Sequence, residues 1–131
     1  MKLILTIAAL AALTGCATTP PSPLRTTPVF FQPWSAALDA NALSAIAIAA
    51  QTAQAEPQAR VEVTGAADSV GGDKANRYIS EARAQMVADQ LETDGVAPGR
   101  IAVRGAGVVH DLAPIGTPSQ FARRVLIVIG G

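Results

Sequence analysis

The sequence predicts a two-layer α/β (α+β) sandwich, ordered strand, helix, strand, helix, strand, strand, with two helices on one face of a four-stranded sheet. Three observations carry this. Two stretches, 40–55 and 74–94, carry apolar residues at helical spacing, and short apolar or alternating segments lie around 29–31, 61–65, 101–104 and 125–129. Prolines and glycines fall between these segments, not inside the two helical ones. Helices alternating with strands and then followed by paired strands make a sheet with one covered face.

Each element has a local reason. Val29, Phe30 and Phe31 read as a short buried strand stopped by Pro33. Asp39 is a candidate N-cap for the helix over 40–55, which places Leu43, Ile46 and Ala50 on one face and ends before Pro57. Val61, Val63 and Gly65 alternate with Glu62 and Thr64, as a strand does. A loop over 66–73 contains Asp68 and the paired glycines Gly71 and Gly72. The second helix, 74–94, closes at Gly95, a natural left-handed cap. Pro98-Gly99 is a turn, 101–104 the third strand, 105–120 an irregular stretch and 125–129 the fourth strand.

The segment before this domain has a different character. Residues 3–13 are apolar apart from Thr6 and follow Lys2. The run is shorter than the roughly 20 residues of a membrane-spanning helix, and suits the apolar core of a signal peptide. It ends in Leu13-Thr14-Gly15-Cys16, which resembles the lipobox of bacterial lipoproteins. That resemblance implies cleavage before Cys16, acylation of its sulfur, and, with Ala17 following, an outer-membrane destination. Cys16 is the only cysteine, so no disulfide can form within one chain. The expected division is a signal peptide over 1–15, a lipidated cysteine and tether over 16–28, and a folded domain over 29–131. Four of the nine prolines fall in the tether. Twelve extended residues would reach about 37 Å.

Composition bounds the function. With Lys2 removed, nine basic side chains face ten acidic ones, a balance with no electrostatic pull toward nucleic acid. His110 is the only histidine, so no cluster of histidine and cysteine ligands can form, and neither a metal nor another cofactor is expected. Asp111 and Ser119 lie near His110 in sequence, but no nucleophile elbow accompanies them, and His110–Asp111 reads as a solvated loop pair. The chain is not read as an enzyme.

The second helix carries the functional reading. At about 100° per residue, Ile79, Ala82, Met86, Val87 and Leu91 define an apolar arc, and Arg83 falls inside it about 40° from Ile79. Asn76 lies about 60° from Ile79 on the same side. A buried, unpaired guanidinium is costly and demands an anion, from the protein or from a ligand. The nearest candidate is Asp68, in the loop that leads into the helix. Arginine's fork of donors suits a carboxylate, aspartate suits an ammonium, and a helix start offers free backbone N–H groups. Two readings follow: a pocket for a zwitterion such as the free end of an amino acid, or a plain Asp68–Arg83 salt bridge that orders the loop.

These residues carry a family resemblance. Gly65-Ala66-Ala67-Asp68-Ser69-Val70-Gly71, Asn76, Ile79-Ser80-Glu81-Ala82-Arg83-Ala84, Val87, Leu91, Gly95-Val96, Arg100-Ile101 and Gly105-Ala106-Gly107 resemble the OmpA-like C-terminal domain, here in the setting of a Pal-like lipoprotein. The resemblance covers about 29–129. It implies non-covalent binding of peptidoglycan through the diaminopimelate of the stem peptide, with Asp68 on the ligand's ammonium, Arg83 on its carboxylate and Asn76 in support. Arg123 and Arg124 match the family's last motif, and either would stabilise the sheet edge or the ligand groove. The departures are specific. Ala66 and Ala67 stand where histidine and threonine are usual, Ala122 replaces an asparagine, Val108 replaces a glutamate, and Gln32, Pro33 and Trp34 follow the first strand where an acidic residue is common. Trp34, the only tryptophan, would line the groove or cover the sheet end. The rival reading is a degenerate module on the same fold that docks another envelope protein without binding the wall.

Overall fold

The computed structural model describes residues 20–110 and 113–131. The stretch expected to be a signal peptide (1–15), Cys16 and Asp111 lie outside the described residues. The elements are β1 (Arg25–Phe30), α1 (Ala40–Ala55), β2 (Arg60–Ala67), α2 (Asp73–Thr93), a single 3-10 turn (Pro98–Arg100), β3 (Ile101–Val108) and β4 (Arg124–Gly130). The sheet order is β1-β4-β2-β3. β4 runs antiparallel to both β1 and β2, and β3 runs parallel to β2. The two-layer α+β architecture read from the sequence is the one observed.

Alternation along the strands builds the core. Val125, Ile127 and Ile129 of β4 and Val61 and Val63 of β2 point to the covered face and are almost wholly buried. α1 brings Ile46, Ala49, Ala50 and Ala53 onto them, and α2 brings Ala84, Val87 and Leu91. Fully burying one side chain of this size contributes about 1.5–3 kcal/mol. Alanine on α1 brings its backbone close to the sheet. Asp39 caps the helix as expected, its carboxylate accepting from the Ala42 amide at 2.8 Å. At the other end Arg100 donates to the carbonyls of Ala53 and Glu56, satisfying acceptors that the end of α1 leaves open, and to that of Ala59 in the turn beyond.

Several details depart from the sequence reading, and Ala66 and Ala67, expected in the loop, are the end of β2. β1 begins at Arg25, so residues 25–28, assigned to the tether, belong to the sheet. Leu43, expected on the inner face of α1, is 41% exposed. β3 continues to Val108 across a register shift between Gly65 and Ala67 of β2, through residues expected to be irregular. Finally, the buried face of α2 is rotated from the expected arc: Met86 is exposed, while Ser80, Ala84 and Ala88 are buried. The cause is steric. A Cβ on Gly65 would lie 1.9 Å from the Ser80 carbonyl oxygen, so the glycine lets the small-residue side of α2 rest directly on β2. Among the described residues, no helix is long and apolar enough to cross a membrane.

Candidate functional site

The close approach of α2 to β2 creates a pocket where the strand hands over to the helix. β2 ends in Ala66 and Ala67, and Asp68 follows as the chain leaves the sheet. Asn76 and Arg83 project from α2, both only 1% exposed. Arg123 arrives from the residue just before β4. The turn after β1 closes the remaining side with Pro33 and Trp34. Together with Val70, Ile79 and Pro118 these residues enclose a cavity of about 130 Å³.

The three residues read from the sequence as a site therefore share one cavity, but their bonds differ from those expected. Asp68 pairs with Arg123, not Arg83: Nη1 donates to Oδ2 at 2.8 Å, with both side chains nearly buried. The amides of Ser119 and Val70 donate to the same carboxylate at 3.2 and 3.4 Å. Burial works to raise the Asp68 pKa, but the Arg123 hydrogen bond, the two amides and the Arg123 charge outweigh it, and the net shift is downward. Arg83 meets its donor requirement with carbonyls: Nε donates to Ser35, Nη1 to Ala66 and Nη2 to Gln32, at 2.8, 3.2 and 3.0 Å. Its guanidinium also sits 5.4 Å from the centre of the Phe31 ring. The expectation that Arg83 needs an anion, from the protein or from a ligand, is corrected by these carbonyls, since three oriented C=O dipoles stabilise a cation without a formal charge. Burial lowers the Arg83 pKa to about 10, with Asp68 opposing and Arg123 reinforcing the shift, so it stays charged at neutral pH.

The cavity retains unused bonding capacity. Arg83 has five N–H groups, and three are engaged, leaving one on each terminal nitrogen. The Asn76 Nδ2 is buried without a partner. The Asp68 Oδ1 accepts only the long bond from Val70. One negative and two positive side chains leave the pocket net positive. Arg124, by contrast, lies on β4 and donates to the Phe121 carbonyl, so of the two adjacent arginines only Arg123 reaches the cavity. Trp34 lines the cavity, one of the two places the sequence allowed it. His110 is exposed and stands outside it.

These features define a small α+β domain with a charged, half-enclosed pocket at a strand-to-helix junction. The OmpA family profile matches residues 30–124, and the chain belongs to the OmpA family. It is 38% identical over 117 residues to an outer membrane protein of Gluconacetobacter diazotrophicus, covering 83% of this chain and 31% of that protein. It is 43% identical over 75 residues to the peptidoglycan-binding protein ArfA of Mycobacterium bovis, covering 56% of this chain and 23% of ArfA. The chain thus matches less than a third of either relative's length. The crystal structure of the peptidoglycan-associated lipoprotein from Burkholderia pseudomallei superposes with a TM-score of 0.71 at 22% identity, over 79% of this chain and 89% of that one, a likeness of fold.

Proposed function

We propose that this chain is an outer-membrane lipoprotein whose domain binds peptidoglycan non-covalently through the diaminopimelate zwitterion of the stem peptide. It links the outer membrane to the wall. The observation that carries the reading is the cavity at the β2–α2 junction, where a carboxylate, a guanidinium and an orphaned amide face one space. The two free N–H groups of Arg83 receive the ligand carboxylate, and Asn76 Nδ2 donates to it as well. Asp68 Oδ1 takes the ammonium, while Arg123 holds the other oxygen and fixes the carboxylate's orientation. Charge-assisted hydrogen bonds are about twice as strong as neutral ones. A relative described as peptidoglycan-binding, with matching sequence over half of this chain, supports the same reading. Acyl chains on Cys16, palmitate among them, supply the membrane anchor, because two or three buried chains hold stably where one does not.

The test is sedimentation of the purified protein with isolated sacculi. Wild type pellets with the wall, and Arg83→Ala and Asp68→Ala variants that remain folded by circular dichroism stay in the supernatant. A folded wild-type protein that never pellets refutes wall binding. One observation favours a second reading: Asp68 and Arg83 already have protein partners, as they would in a module kept for docking another envelope protein. That module would leave sacculi unbound in every variant. The anchor is tested separately, since Cys16→Ser abolishes incorporation of labelled palmitate if the assignment is right.

A further inference from the structure

Residues 32–35 form a tight turn, in which the Ser35 amide donates to the Gln32 carbonyl at 3.3 Å. Pro33 occupies its second position and Trp34 its third, with φ of 51°. A left-handed third residue after proline is the type II pattern, a position that belongs to glycine or asparagine. Trp34 is the only non-glycine described residue with positive φ. A bulky side chain held there carries a conformational penalty, and residues strained in this way cluster at active sites and ligand clamps. Stability does not explain it, since Trp34 is 55% exposed and so covers little of the core.

The surroundings show what holds the turn. The Gln32 and Ser35 carbonyls that bracket it both accept from Arg83, so the pocket's own cation fixes the turn against the cavity. On the far side the indole rests on Gly71, where a Cβ would stand 2.6 Å from its Cη2. Trp34 thus forms an apolar rim, with Val70, Ile79 and Pro118, above a floor of charged groups.

We propose that Trp34 is a ligand-contacting residue that determines specificity: its indole packs on the methylene chain of the guest whose charged end lies on Asp68 and Arg83. This deepens the peptidoglycan reading and rests on it. Ligands with an aliphatic stem behind the zwitterion are preferred to compact ones such as alanine.

The experiment uses the sole tryptophan as its own reporter. The purified protein is titrated with a diaminopimelate-containing muropeptide, following emission, and affinities of wild type, Trp34→Gly and Trp34→Phe are measured by calorimetry. The muropeptide shifts the wild-type emission. Trp34→Gly weakens binding about tenfold while its Tm holds or rises, because glycine suits the turn, and Trp34→Phe keeps most of the affinity. Arg83-dependent binding that leaves the emission unmoved and is equal in Trp34→Gly overturns the role of Trp34 and spares the wall-binding reading. No binding by wild type overturns both.

Discussion

Replacing Gly65 with alanine tests the link between packing and the pocket. The added Cβ would stand 1.9 Å from the Ser80 carbonyl oxygen, 2.9 Å from its carbon and 3.2 Å from the Ala84 Cβ. The offending atoms are mostly helix backbone, which cannot rotate away. Ordinary contact requires about 3.5 Å, so α2 must withdraw by about 1.5 Å. Overpacking of this kind costs about 1–3 kcal/mol, and a clash with main chain belongs at the upper end. For a domain of this size, about 3 kcal/mol lowers Tm by on the order of 10–20 °C. The same helix carries Asn76 and Arg83, so its withdrawal also separates them from Asp68, and pelleting with sacculi falls at temperatures where the variant is still folded. Thermal melts by circular dichroism with parallel sedimentation measure both effects. A Gly65→Ala protein with Tm within about 3 °C of wild type would refute the claim that backbone contact at Gly65 sets the position of α2.

Other outcomes follow from individual bonds. Asp68→Asn removes the charge facing Arg123 and lowers stability at neutral pH by about 2 kcal/mol, read by urea denaturation. The Asp68 pKa is lower in the folded state than its ordinary 3.8, so its contribution is fully present above that value and is lost as pH falls through the depressed folded value. In acid titrations the wild type therefore loses its advantage over Asp68→Asn below pH 3.8, and an advantage constant down to the lowest pH would contradict the ion pair. Ser80 Oγ accepts from the buried Gly107 amide at 2.9 Å, so Ser80→Ala strands that donor and costs about 1–2 kcal/mol, with faster hydrogen exchange at Gly107. Asp39→Ala removes the α1 cap and costs about 1 kcal/mol without altering wall binding.

Much of the fold was legible because burial leaves a period in the sequence. β4 alternates over Val125, Ile127 and Ile129, α1 is bounded by the Asp39 cap and Pro57, and α2 closes at Gly95. What escaped has physical reasons. β1 starts at Arg25 because an edge strand can be polar and tolerate Pro28, so residues 25–28 show no apolar pattern to read. The rotation of α2 was hidden because a wheel weighted by hydrophobicity favours Met86 over Ser80, whereas a glycine-lined strand selects the smallest side chains. Helix geometry put Asn76 and Arg83 on one side of α2 and the loop put Asp68 near them, but spacing left a plain salt bridge open, and the family resemblance favoured a binding pocket. The true partner of Asp68 was not legible, since Arg123 lies 55 residues away and reaches the site only through β4. Trp34 was noticed as a lone aromatic, but the turn that presents it depends on backbone angles that composition does not report.

The register of β1 has a mechanical meaning. The chain enters this strand at Arg25 and, just past its far end, makes the turn that borders the pocket, with six consecutive pairings to β4 between. In the proposed wall-anchoring role, a pull from the Arg25 side against a guest held in the pocket is directed along the strand. The β1–β4 hydrogen bonds then share that load side by side in shear, instead of opening one at a time like a zipper.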